Sequence, residues 1–186
     1  MMESRTRILE ATYSCAGRWG LAKTSLEDVA REAGVSRATI YRTFPGGRDE
    51  VVEATVAWAV ARFYLGLLEH LVGVSSLEDV LERGMMFAHR EIVEHEVLQR
   101  IMLTEPDLLL PMLTLESNRL RESIATFLLT YVARTDLVDG VDPELASDFL
   151  ARMVVSYIAT PGRWDLTDPD QVSDLVRAEL LAGLVR

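Results

Sequence analysis

A single cysteine, Cys15, in 186 residues excludes an internal disulfide and any cysteine-built metal site. The opening MMESRTRILEATYS has no apolar block of signal-peptide length, so a cytoplasmic location is expected. Long apolar runs are also missing. The most apolar stretch, Val51 to Leu68, is broken by Glu53, Thr55 and Arg62, and falls short of the roughly 20 apolar residues of a membrane helix, so no span is expected. Positive charge is in deficit: 19 basic residues face 29 acidic ones, and the net charge is −10. Taken whole, that balance speaks against nucleic acid, whose binding domains are usually basic. No HExxH, Gly-rich phosphate loop or nucleophile motif is present, so neither a metal, a cofactor nor an enzymatic activity is expected. His89 and His95 lie about 240° apart around a helix and cannot share a face. Glu91 and His95 can, but two ligands do not make a metal site. What remains is 49% apolar and 26% charged, the composition of an ordinary globular chain rather than a disordered one.

The charge is unevenly placed. Between residues 4 and 48, eight basic residues (Arg5, Arg7, Arg18, Lys23, Arg31, Arg37, Arg42, Arg48) face four acidic ones, Glu10, Glu27, Asp28 and Glu32, giving +4 and leaving −14 on the rest. No acidic residue occurs from Ala33 to Arg48. Such asymmetry points to a local anionic partner that the whole-chain balance conceals, or to a plain solvated face.

Strand signals are nearly missing and helical periodicity runs throughout, so an all-α fold is expected. Ile8, Thr12, Cys15 and Trp19 fall within about 60° of one another and form the inner stripe of a first helix ended by Gly20. In LAKTSLEDVAREAG, Thr24 with Glu27 or Ser25 with Asp28 can form a capping box. Leu26, Val29, Ala30 and Ala33 then share a face, Gly34 permits a reversal, Val35 plugs the corner and Ser36 caps the next helix. Helix, glycine turn and short helix make a helix-turn-helix. On the short helix, Ile40 and Phe44 face inward, while Ala38, Tyr41 and Arg42 face outward, flanked by Arg37, Thr39 and Thr43. An outward face of this kind suits a major groove: Ala38 allows close approach, and Arg42 has the fork that binds guanine O6 and N7. Tyr41, Thr39 and Arg37 suit phosphates or base edges. Pro45-Gly46-Gly47 ends this helix, Arg48 opens the next, from about Gly47 to Leu71, and further helices are expected near 76–94, 96–104, 112–135, 143–160 and 169–184.

The first 55 or so residues resemble the TetR family of bacterial transcriptional regulators. The matching positions are R-x-R-I-L-E-A from Arg5 to Ala11, Gly20, Thr24-Ser25, Asp28-Val29-Ala30, Ala33-Gly34-Val35-Ser36, Thr39-Ile40-Tyr41 and Phe44. The resemblance implies an N-terminal three-helix DNA-binding module with a helix-turn-helix (residues 1–50), then a C-terminal helical bundle (51–186) that binds a small ligand and dimerises, with about nine helices in total. Carried over by position, Thr24 and Ser25 contact phosphate, Ser36 opens the recognition helix, and Arg37, Ala38, Thr39, Tyr41, Arg42 and Thr43 face the DNA. Arg48 takes the place of a basic residue at the start of the fourth helix. Two departures are visible: Ala38 stands where glycine is common, and Pro45-Gly46-Gly47 is one residue longer than the usual turn before Arg48.

The same resemblance places an effector pocket among the later helices, with Trp58, Phe63, Met85, Met86, His89, Met102, Phe127 and Tyr157 as lining residues, although such side chains serve equally as core. Arg119 and Arg121 suit either an acidic ligand or the surface. The last two helices carry wide apolar faces that include Phe149, Leu150, Met153, Val154 and Tyr157 on one and Leu175 and Leu181 on the other. These pack within the monomer or, as the resemblance implies, join a second copy in a four-helix bundle. The expectation is a homodimeric repressor that binds a palindromic operator and is released by a partly apolar small molecule. The alternative is a helical protein that binds or sequesters small molecules without engaging an operator.

Overall fold

The computed structural model describes residues 2–104 and 120–186. Helices dominate: α1 (Met2–Trp19), α2 (Leu26–Ala33), α3 (Arg37–Thr43), α4 (Arg48–His70), α5 (Leu77–Val93) and α6 (Glu96–Thr104) precede α7, of which 120–132 is described, then α8 (Pro143–Ala159) and α9 (Pro169–Leu175). Among the described residues no strand forms, and the fold is all-α. The chain divides into two compact units, Met1–Gly66 with Ile92–Leu110 and Leu67–Glu91 with Pro111–Arg186.

In the first unit Ile8, Thr12 and Cys15 lie on the buried face of α1. Burial raises the Cys15 thiol pKa, which keeps the group protonated and inert. Trp19 departs from the expected stripe and is 43% exposed. It is the last residue of α1, and Arg18 lies over its ring. Leu26, Val29, Ala30 and Ala33 of α2, Ile40 of α3, Phe44 and Val51 complete this core.

A second contact in this unit seats α6 on α1. Arg100 donates to the Arg18 carbonyl at 2.7 Å, and Tyr13 hydrogen-bonds the Nε2 of His95. His95 Nδ1 accepts from Leu98 N at 2.9 Å, so this ring caps the start of α6 instead of facing solvent. A Cβ added at Gly17 would lie 2.7 Å from Val97 Cγ2, so glycine is what lets the helices approach. Gly17→Ala is therefore expected to destabilise the protein by about 1 to 2 kcal/mol, overpacking outweighing the better helix propensity of alanine. Denaturant unfolding checks this, and adding Val97→Ala should recover most of the loss. A Gly17→Ala protein as stable as the wild type would contradict the tight contact.

The second unit has its own core, in which Leu81, Met85, Leu150, Leu175, Val176 and Leu180 are fully buried. α8 and α9 begin where Asp142 and Asp168 accept hydrogen bonds from the first turn, each followed by proline at the helix start. The helix expected over 169–184 is shorter. After α9 the backbone makes a π-turn, Val176–Leu180, and then leaves the helix. Val138 N donates to Leu184 O at 3.0 Å and Arg186 N to Asp136 O at 3.1 Å, closing an isolated bridge between Leu137 and Val185. That pairing is remote in sequence, and no local periodicity announces it. Beside it, Glu179 accepts from Trp164 Nε1 at 3.2 Å, Arg163 Nη2 at 3.1 Å and the Tyr157 hydroxyl. The Tyr157 hydrogen bond, followed by Trp164 and Arg163, holds the Glu179 carboxyl below its ordinary pKa.

By length and composition alone α4 is apolar enough to cross a membrane, with a mean hydropathy of 1.5 over 18 residues, a test that core helices of soluble proteins also pass. Only Arg62 is charged between Ala54 and Leu68, so one cation fails to offset the surrounding alanine, valine and leucine. The N-terminal end of α4 buries Val51 and Thr55 in the first unit.

Candidate nucleic-acid interface

The helix-turn-helix is built by caps at both ends. Ser25 Oγ accepts from Asp28 N at 3.2 Å and donates to Asp28 Oδ2 at 2.5 Å, which makes Ser25–Asp28 the capping pair of α2. The Ser25 hydrogen bond, more than the neighbouring Arg31, lowers the Asp28 pKa. α2 ends on Gly34 at φ 62°, left-handed backbone that glycine adopts without strain. Arg7 of α1 reaches the same end and donates to the Ala33 carbonyl. Ser36 opens α3 by accepting from Thr39 N at 3.1 Å. Ile40 and Phe44 are then 0% and 1% exposed, and Arg5 lies 5.2 Å from the Phe44 ring centroid. With those two residues fixed inward, the opposite side of α3 has to face solvent.

Arg37, Ala38, Tyr41 and Arg42 are all exposed, and among the described residues neither arginine has an ion pair or hydrogen bond. Thr39 and Thr43 are half-buried on the flanks, with Thr43 Oγ1 donating to the Thr39 carbonyl at 2.9 Å. The other hydroxyls of the expected set are engaged within the protein. Thr24 is 4% exposed and its Oγ1 donates to Gly20 O at 2.7 Å. Ser25 and Ser36 act as caps. Phosphate accepts hydrogen bonds, so a hydroxyl whose only proton is used internally must give up that bond to reach it. Arg48 is half-buried and donates to the carbonyls of Thr24 and Leu21.

The local charge follows the same division. Arg18 pairs with Glu32 at 2.7 Å and Arg31 pairs with Asp28, so both carboxylates are matched. Among the described residues, Lys23, Arg37 and Arg42 are the cations of this segment left without a partner. Sequence reasoning missed the inward use of Arg7 and Arg48, because an arginine that binds a carbonyl reads the same as one that binds phosphate. The Gly17–Val97 contact had a signal: glycine inside a helix costs about 1 kcal/mol relative to alanine and marks a close approach.

The residues expected to line a pocket are divided between the units. Trp58 and Phe63 belong to the first, where Trp58 packs edge-on to Tyr13 with Arg62 over its face. Met102 lies on α6, with its side chain outside the described residues. Met85, Met86, His89, Phe127 and Tyr157 belong to the second, where Met85 is fully buried and Met86, Phe127 and Tyr157 pack on the same core. Arg121 pairs with Asp148, and Arg119 lies outside the described residues. Of the residues expected at a dimer face, Leu150, Val154 and Leu175 are buried inside the second unit, Met153, Tyr157 and Leu181 are half-buried, and Phe149 is 41% exposed. Leu145, one turn before Phe149, is 73% exposed.

Comparison with known proteins places this geometry. Residues 8–55 match the profile of the bacterial regulatory proteins of the tetR family, and residues 76–178 match that of the bacterial tetracyclin repressor C-terminal domain. The uncharacterized HTH-type transcriptional regulator Rv2250c of Mycobacterium tuberculosis is 48% identical over 43 residues, 23% of each chain, so the match spans about a quarter of that relative's length. A putative TetR-family regulator from Rhodococcus sp. shares the fold with a TM-score of 0.64 at 20% identity, covering 99% of this chain and 100% of that one. The SmeT–triclosan complex superposes with a TM-score of 0.62 at 24% identity over 98% and 92% of the two chains. The second profile alone spans more than half of the sequence, and the chain belongs to the TetR family of bacterial transcriptional regulators, a family of regulators rather than enzymes.

Proposed function

We propose that the protein is a ligand-responsive transcriptional regulator, a repressor that binds a palindromic DNA operator as a homodimer in the cytoplasm. The observation that carries this reading is the outward face of α3, where Arg37, Ala38, Tyr41 and Arg42 stand exposed and no acidic residue intervenes from Ala33 to Arg48. Residues 1–50 serve as the DNA-binding domain and 51–186 as the effector and dimerisation domain. Arg42 reads a base edge, Ala38 lets the helix come close, and Arg37, Thr39, Tyr41 and Thr43 hold the backbone, with Ser25 and Ser36 at the helix starts. The exposed Leu145 and Phe149 on α8, with the half-buried Met153 and Tyr157 further along the same helix, supply an apolar surface for the second copy, and the half-buried Leu181 adds to it. The effector is a partly apolar small molecule held by the C-terminal domain, a capacity that the SmeT–triclosan complex illustrates for the fold. It releases DNA by binding more tightly to the conformation whose recognition helices are wrongly spaced.

The test is a titration of duplexes flanking the protein's own coding region at low salt, with the stoichiometry measured by sedimentation. Two subunits per bound duplex are expected. With Arg42 on a base edge, the unpaired cations Lys23 and Arg37 of each subunit are left for phosphates, and the slope of log K against log salt should be about −3.6. Monomers that bind no duplex would overturn the reading.

A further inference from the structure

Arg48 is the first residue of α4, yet its guanidinium points back at the turn between α1 and α2. Nε donates to the Thr24 carbonyl at 3.2 Å and Nη2 to the Leu21 carbonyl at 2.5 Å. The same turn is braced from within, by Thr24 N donating to Leu21 O at 3.1 Å and Thr24 Oγ1 to Gly20 O at 2.7 Å. Leu21 and Thr24 are both buried, and the next residue, Ser25, is the N-cap of α2. One planar side chain therefore ties the start of α4 to the start of the helix-turn-helix.

We infer that Arg48 is a positioning residue that fixes α2 against α4, and that it is not a phosphate ligand. Two of its five N–H groups, one on Nε and one on Nη2, are held by carbonyls, and turning the guanidinium to a phosphate would cost both acceptors a charge-assisted hydrogen bond. The nitrogen left over, Nη1, lies 3.8 Å from the Asp49 carboxylate, which is 97% exposed and would repel an approaching phosphate. The fork is also specific to arginine. A lysine ammonium is a point charge on a flexible stem, able to replace a phosphate contact but not to span two carbonyls at once. The role in DNA binding rests on the regulator reading above, whereas the clamp itself exists in the free protein.

The test compares full-length wild type with Arg48→Lys and Arg48→Gln, using Arg37→Ala as the phosphate-binding control. In the free protein, amide hydrogen exchange over residues 21–28 should accelerate about tenfold or more in both Arg48 variants, the opening of a local unit that has lost its tie. On the tightest duplex recovered by selection with wild type, Arg48→Lys should lose affinity about as much as Arg48→Gln, and on all sequences alike. The salt slope should stay at the wild-type value for both, while Arg37→Ala makes it shallower by about 0.9 for each phosphate that is no longer neutralised. Arg48→Lys with wild-type exchange and affinity, or Arg48→Gln with the shallower slope of Arg37→Ala, would overturn the assignment. Should Arg48→Gln fail to fold, Arg48→Lys decides. If the wild type binds no duplex, the regulator reading falls while the exchange comparison still decides the clamp.

Discussion

Phe44→Ala is expected to cost the helix-turn-helix unit about 3 to 5 kcal/mol, the usual range for truncating a fully buried aromatic. Phe44 is 1% exposed, sits where α3 ends, and packs with Ile8, Leu9, Leu26, Val29 and Ile40. Its removal opens a cavity between all three helices of the module, and Arg5 loses the ring over which it lies. A loss of that size is a large part of the roughly 5 to 15 kcal/mol that stabilises a typical domain. The core around Met85 and Leu150 contains none of these residues, so it should survive. Denaturant unfolding followed by far-UV circular dichroism is therefore expected to change from one transition to two, the early one belonging to the first unit. A shift below about 1 kcal/mol would mean that the module tolerates the cavity and that Phe44 is not its keystone.

Arg42→Ala should show the opposite pattern. Arg42 is exposed and has no partner among the described residues, so its loss should leave stability within about 0.5 kcal/mol of the wild type. Its effect should fall on sequence preference. A bidentate contact to guanine is worth about 1 to 3 kcal/mol of discrimination against the wrong base, roughly fivefold to more than a hundredfold per half-site. Competition between the selected duplex and versions substituted at one symmetric base pair measures this directly. Wild-type protein should discriminate at that position and Arg42→Ala should not. Unchanged discrimination would remove Arg42 from base reading, whatever happens to overall affinity.

The contrast between these two residues also explains what the sequence could reveal. Ile40 and Phe44, four apart, define the inner face of α3, and once they are buried the direction of Tyr41 and Arg42 follows from about 100° per residue. Gly34 and Ser36 were legible for the same reason: turn and cap chemistry is local, and few residues supply it. Helix positions from α1 to α8 follow from such signals where they are described. Arg48 was not legible in this way. Its partners are carbonyls of Leu21 and Thr24, which every residue type possesses, so no side-chain pattern marks the bond. The end of the chain failed for a related reason, since the bridge between Leu137 and Val185 uses backbone groups far apart in sequence. Leu150 and Leu175 belong to an apolar face that periodicity detects without saying what covers it; both lie within the second unit's core, while Leu145 and Phe149 remain exposed.

The charge divides again on a finer scale. A net charge of −10 hides a segment of +4, and that segment in turn holds pairs that cancel, such as Arg18 with Glu32 and Arg31 with Asp28. Of the cations left for a polyanion, Arg37 and Arg42 lie on α3, where they add to specificity as well as to attraction.

Whether the outward face of α3 reads duplex DNA is tested most directly by selecting binding sites from a random duplex library, with wild-type protein and with an Arg37→Ala, Arg42→Ala double variant. The wild type is expected to enrich a two-fold symmetric motif with half-sites about 34 to 36 Å apart, and the double variant, folded as well as the wild type, to enrich none. A wild-type protein that enriches no motif, or a double variant that recovers the same one, would contradict that role for α3.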